Sequence, residues 1–361
     1  MRLTKLDGLR GLFSLMVVFY HYPQNQIPES LAQFFLFRQS YVFVDFFFCL
    51  SGFVISYNYH TLHKWSEFTV YMVKRFIRLY PSLFLAVSVY FFGYLFVGLP
   101  TDDKAPLINF LETALMTNST PLLGTNPGFN EASWSISSEM VSYLVIGLTF
   151  LIFPKRRTVP VLLTILLAYF ILFRSGQFFH TFEYGFLRGL VSFNLGFVVW
   201  KLSKYDFKAN NYLEFLIPIL LIVLLYFVHN FTRVNEMETP SGALFNMLVI
   251  PLFFASSILL LLKTDGPVSH FLDTKPVQYL GKISYSIYIN QGFMFHLAII
   301  AFSKIYKVET TADMLVQLFF VVSMILLVSH FTNKYVEVKL GRYLKQKALG
   351  KPRLAKSKTT V

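Results

Sequence analysis

A single cysteine, Cys49, stands in this chain of 361 residues, which excludes an internal disulfide. Charge is also scarce: Asp, Glu, Lys and Arg together make up 14% of the residues, well below the usual share in a soluble domain. Acidic residues are the rarer sign, 19 against 32 Lys and Arg, for a net charge of +13. That excess does not point to nucleic acid, because basic residues are not interleaved with aromatics and fall mostly in short segments between apolar runs. No internal repeat stands out, and no metal site is expected.

What the chain has instead is apolar surface. Hydrophobic residues reach 55%, with 42 Phe and 21 Tyr, the composition of a polytopic membrane protein. Apolar stretches of spanning length fall near 9–22, 41–59, 79–99, 134–153, 158–173, 181–200, 213–229, 241–262, 283–302 and 313–335. The expected fold is therefore all-α, with about ten transmembrane helices. The first segment lacks the small-residue cleavage site of a secretory signal and reads as retained. With the N-terminus inside, 24 of the 32 Lys and Arg fall in inner segments, six fall outside, and Arg10 and Arg188 lie within helices. This bias predicts both termini in the cytoplasm of a cell (plasma) membrane protein, and it makes membrane lipid the partner of the positive charge. Residues 1–340 read as the integral-membrane domain. Residues 341–361 read as a basic cytoplasmic tail with too little apolar surface to order itself. Between 100 and 133 runs the one long connection, outside, with a short amphipathic helix expected near 107–117.

Within the first apolar segment, Arg10 and His21 share one helix face about 16 Å apart along the axis. Ionisable groups in a spanning helix point to function unless they snorkel at a membrane edge. By rise per residue, His21 lies about 20 Å in from the inner side of a hydrocarbon core about 30 Å thick. Asp45 in YVFVDFFFCLSGF, Glu139 in WSISSEM, and Asn290 and Gln291 in GKISYSIYINQ come to a similar depth. Such a set suits general acid–base chemistry, with a carboxylate orienting the imidazole. Each member has a structural alternative. His21 can be a helix–helix hydrogen-bond former, Asp45 an ion-pair partner of Arg10 or Arg188, and Glu139 a helix-start charge.

Near the inner face, Arg75 and Arg78 in YMVKRFIRLYP share a helix face beside Lys74, which suits either phosphate oxygens or simple positive-inside anchoring. Together with Arg10 they match a phosphate-headed donor with a long thin arm, such as an acyl-coenzyme A.

The ordered series LDGLRG…H, VDFFFCLSGFVIS, KRFIRLYP, WSISSEM, GKISYSIYI and KYVEVKLGRYL, spread over almost the whole chain, resembles the type-3 membrane acyltransferases, the bacterial O-acyltransferases of cell-surface saccharides. The resemblance implies transfer of an acyl group, most often acetyl, from cytoplasmic acyl-CoA (acetyl-CoA in that case) to a saccharide acceptor, in the bacterial inner membrane. It implies a catalytic role for His21, a donor role for Arg75 and Arg78, and a WS-x-x-x-E motif on Trp134 and Glu139. At Gln291 many relatives carry a histidine. The expected site is thus His21, Asp45 and Glu139 for catalysis, Arg10, Arg75 and Arg78 for the donor, and Trp134, Asn290 and Gln291 for the acceptor. The alternative from another class is a membrane transporter of a small molecule or lipid-linked saccharide.

Overall fold

In a computed structural model the chain is described over residues 3–59, 62–99, 106–121, 129–176, 183–231, 233–234, 237–238 and 240–350. Among the described residues ten long helices carry the architecture: α1 Thr4–His21, α2 Phe43–Asn58, α3 Trp65–Val97, α4 Trp134–Ile152, α5 Thr158–Ser175, α6 Gly185–Leu202, α7 Leu216–Phe231, α8 Pro240–Lys263, α9 Lys275–Ser303 and α10 Thr311–Thr332. Each coincides with one of the ten apolar stretches. Eight of them are long and apolar enough to cross a membrane. The other two, α1 and α6, carry Lys5, Asp7 and Arg10 or Arg188 and Lys201. A two-residue antiparallel pair, Arg233–Val234 with Met237–Glu238, is the one strand ladder among the described residues.

The two charged helices lie inside, and each is held there by backbone contact with a neighbour. A Cβ on Gly11 would fall 2.3 Å from the amide nitrogen of Gly281, so α1 and α9 touch main chain to main chain. On the second pair, a Cβ on Gly52 of α2 would fall 1.8 Å from the carbonyl oxygen of Phe193 on α6. Any side chain at these crossings would force the helices apart, the small-residue packing that membranes favour. By contrast, α5 and α7 expose large apolar side chains such as Leu166, Phe170, Ile219 and Val223, as lipid-facing helices should.

Where α2, α4 and α6 meet, a buried ion pair ties them. Arg188 donates to Asp45 at 2.6 Å through Nη2 and at 3.1 Å through Nε, and Ser192 donates to the other carboxylate oxygen at 2.7 Å. The guanidinium also lies 5.3 Å from the Trp134 ring centre. Asp45 is fully enclosed and Arg188 is 3% exposed, so each charge depends on the other.

At the C-terminal end, α10 runs into a π-helical stretch, Asn333–Leu340, and then a helix Gly341–Leu349 that packs against α3. The helix therefore extends into the segment assigned above to an unordered tail. Docking on α3 supplies the contacts that this short basic helix would lack in isolation. Residues 351–361 lie outside the described residues. The amphipathic segment of the long connection forms a helix, Pro106–Ala114; residues 100–105 and 122–128 lie outside the description.

Candidate active site

Two cavities lie along α1, one at the level of Arg10 and one at His21. The first encloses about 300 Å³ between α1, α2, α3, α4 and α9. Arg10, Arg75 and Arg78 converge on it together with Glu139, Ser14, Ser51 and Tyr143, while Val44, Phe47, Val54 and Ile136 supply apolar wall. Arg10 is oriented by three groups. Its Nε donates to Ser284 Oγ at 2.8 Å, its Nη2 donates to the Gly281 carbonyl at 2.9 Å, and Asp7 lies 3.2 Å away. Arg75 lies between the rings of Tyr59 and Tyr143, at 5.5 and 5.8 Å. Its Nε is buried, and among the described residues no acceptor reaches it. Arg78 approaches Glu337 at 3.9 Å.

Glu139 is held rather than free. It accepts hydrogen bonds from Ser51 at 2.6 Å and from Tyr143. Three cations and one carboxylate, Glu139, whose Oε1 takes both bonds, thus line the cavity, with Asp7 and Glu337 behind Arg10 and Arg78; the guanidinium groups that face it suit an anion with an apolar arm.

The second cavity, about 370 Å³, is lined by His21, Glu131, Arg38, Gln24, Tyr20 and Phe37 among others. Phe19 stacks on Phe37 at 4.4 Å beside it. His21 Nδ1 lies 3.1 Å from the carbonyl oxygen of Val17, one turn back on α1. A carbonyl is only an acceptor, so this contact assigns the proton to Nδ1 and leaves the lone pair on Nε2. The Gln291 amide stands 3.4 Å from the same Nδ1, and with the proton there it is the amide oxygen, otherwise without a partner among the described residues, that accepts from the ring. Glu131 is the carboxylate whose field acts on the imidazole. A half-buried imidazole with an open Nε2, a carboxylate and two stacked rings can take a proton from, or attack through, a polar ligand in this cavity. Among the described residues no group of three or more His, Cys, Asp or Glu is placed to hold a metal ion.

The family model described as "Acyltransferase domain" matches residues 3–332 of the chain. The protein belongs to this acyltransferase family. "Protein 2 in picA locus" of Rhizobium radiobacter is 34% identical to it over 160 residues, 39% of this chain and 78% of that protein. No solved structure matches. The chain is thus a multi-pass membrane acyltransferase.

Of the residues expected at the acyltransferase site, Arg10, Arg75 and Arg78 come together as anticipated from their shared inner depth. Gln291 comes to His21. Asp45 does not: its oxygens are committed to Arg188 and Ser192, so it orients a helix crossing and not the imidazole. Glu139 lies among the arginines of the first cavity, not at His21. Trp134 is buried under Arg188 and edge-on to Phe48, and Asn290 donates to Thr332 Oγ1 on α10 at 2.9 Å, so neither lines the second cavity. Rise per residue gives how far along its own helix a side chain lies but not the side of the helix it leaves from, and these four face different neighbours.

Two carboxylates were missed. Glu131 sits on the 3-10 turn Glu131–Ser133 that leads into α4, four residues before Ser135 and eight before Glu139. That i, i+4, i+8 spacing was the available signal that one face carries carboxylates to both levels. Glu337, in the closing KYVEVKLGRYL stretch, is 5% exposed, accepts from Ser286 and faces Arg78. It lies in the π-helical stretch, where side-chain directions are shifted relative to a regular helix.

Proposed function

We propose that this acyltransferase moves an acyl group, acetyl in the first instance, from cytoplasmic acyl-coenzyme A to a hydroxyl of a cell-surface or lipid-linked saccharide, with both termini in the cytoplasm of a bacterial inner membrane. The observation that carries this reading is the pair of cavities on one helix, a cationic one at Arg10 and one holding the open Nε2 of His21. Arg10, Arg75 and Arg78 receive phosphate oxygens of the donor, the unpartnered Nε of Arg75 being one donor group ready for them. The apolar wall takes the arm. The stacked rings and polar groups of the second cavity take the acceptor.

The chemistry has two forms. In the direct one, His21 Nε2 removes the proton of the acceptor hydroxyl as its oxygen attacks the thioester carbonyl. A C–O bond forms, the C–S bond breaks, and the proton passes from the imidazolium to the departing thiolate. In the relay form, Nε2 attacks the thioester first and the thiolate leaves. The acceptor hydroxyl then attacks the acyl-imidazolium, which has kept its Nδ1 proton; a C–O bond forms, the C–N bond breaks to return the neutral ring, and the hydroxyl proton ends on the released thiolate. Glu131, at the imidazole, stabilises the positive charge that both forms develop.

Mass spectrometry and NMR of cell-surface saccharides from cells with and without this gene test the reading. O-acyl groups are expected only where the gene is present. Identical saccharides in the two strains, with the protein made and inserted, would overturn it. Rapid quench with a labelled donor and no acceptor separates the two forms, since label on His21 is expected only in the relay.

A further inference from the structure

Between the two cavities stand buried side chains, Val17 and Val18 on α1 and Tyr288 on α9. On α1, Ser14 lines the first cavity and His21 the second, about 10 Å further along the axis, while Val17 and Val18 between them are fully buried. On α9, Tyr288 lines the first cavity, and Gln291, one turn on, touches His21. Ser135 likewise lines the first cavity, one turn from Glu131 in the second. Tyr288 closes the gap from the α9 side. Its hydroxyl donates to the Ala132 carbonyl at 2.9 Å and meets Ser135 Oγ at 2.8 Å, and its ring stands edge-on to Phe47 at 5.9 Å. Glu131 of one cavity and Glu139 of the other both act electrostatically on that hydroxyl, as expected for a group between them.

From this geometry we propose that Tyr288 is a specificity-determining residue, an acyl-size filter through which the group carried in the arginine-lined cavity must pass to meet His21. The proposal rests on the two-cavity reading of transfer given above. The ring is 5% exposed and latched at its hydroxyl, so a passing group must displace it against packed neighbours. Each added methylene needs a larger displacement in a space without slack, which costs more than the group regains by burial. Short acyl groups therefore pass and longer ones are held back on the donor side. The ring sets the limit; the hydroxyl holds the ring in place.

The test uses the purified full-length protein in lipid nanodiscs with acetyl-, butanoyl- and hexanoyl-coenzyme A, reading thiol release with water as acceptor. The wild type is expected to favour acetyl. Tyr288→Ala and Tyr288→Leu should raise the hexanoyl-to-acetyl ratio of kcat/KM about tenfold or more. Tyr288→Phe keeps the ring, so its ratio should stay within about twofold of wild type, well under the effect of one methylene. A general loss of packing would lower all three rates without changing their ratio. If Ala fails to accumulate, Leu and Phe carry the comparison. An unchanged ratio in the smaller variants, or a shift in Phe as large as in Leu, overturns the filter alone. No thiol release from any donor by the wild type overturns the coenzyme A reading and the filter with it.

Discussion

The two cavities share α1 but hold their polar groups in opposite ways. At the first, three of the charged groups are each oriented by several partners: Arg10 by Ser284, Gly281 and Asp7, Arg75 by two tyrosine rings, Glu139 by Ser51 and Tyr143. At the second, His21 is fixed through one ring nitrogen and keeps the other open, and Glu131 beside it is exposed. The contrast separates tasks. A preorganised cluster of cations binds an anion without reorganising, whereas a proton acceptor needs an unfilled valence near its substrate. If this division is right, substitutions at the two ends should move different kinetic parameters.

The largest effect on turnover is expected at His21. His21→Ala should lower kcat by about a thousandfold, about 4 kcal/mol, with KM for the donor changed by less than about twofold. Steady-state thiol release in nanodiscs reads both. A matching rise in KM would mean that the imidazole also holds the donor, and the division between the cavities would fail.

Next comes Asp45, a buried carboxylate that belongs to neither cavity. Asp45→Asn leaves Arg188 with an uncompensated charge and should cost about 3 kcal/mol of stability. Thermal unfolding in detergent measures it. Replacing both partners, Asp45→Leu with Arg188→Leu, should cost less than the single change, because no charge is then left buried. If Asp45→Asn instead unfolds like wild type and loses turnover, Asp45 works at the imidazole after all.

At the first cavity, Arg75→Gln with Arg78→Gln should raise KM for the acyl-coenzyme A donor about thirtyfold, about 2 kcal/mol for lost charge-assisted hydrogen bonds, and leave kcat within about threefold. Arg75→Lys alone should recover only part of the affinity, since an ammonium keeps the charge but not the planar fork. A fall in kcat with KM unchanged would move the chemistry to this end.

Much of this was legible from the chain. The ten long helices, the grouping of Arg10, Arg75 and Arg78, and the distance between Arg10 and His21 all follow from periodicity and rise per residue. Side chains on one helix, or at one membrane edge, are fixed by such counting. The set proposed around His21 was different, because it joined residues from four helices by depth alone. Two of its members turned out to serve helix contacts, Asp45 toward α6 and Asn290 toward α10, and the rotation of each helix about its axis decides that. That rotation is set by crossings such as Gly11 on Gly281 and Gly52 on Phe193, where main chains touch. Nothing in a single helix announces its partner. Glu337 is a further case, lying in a π-helical stretch where side-chain directions are shifted.

Glu131 offers the finest test of the contrast, because it is the carboxylate that depth counting did not assign to His21. It stands at the imidazole but is solvent-exposed, so its attraction for an imidazolium is screened and worth at most about 1 kcal/mol. Glu131→Gln should therefore lower kcat by only about fivefold, the equivalent of that energy. The deficit should be larger at low ionic strength than at high, because screening already removes much of the interaction in the wild type at high salt. Stopped-flow thiol release at two salt concentrations separates this from a packing effect, which salt would not alter. A salt-independent loss of a hundredfold or more would place Glu131 in direct contact with the reacting atoms, and the second cavity would then rest on a carboxylate–imidazole pair instead of an imidazole held by its own helix.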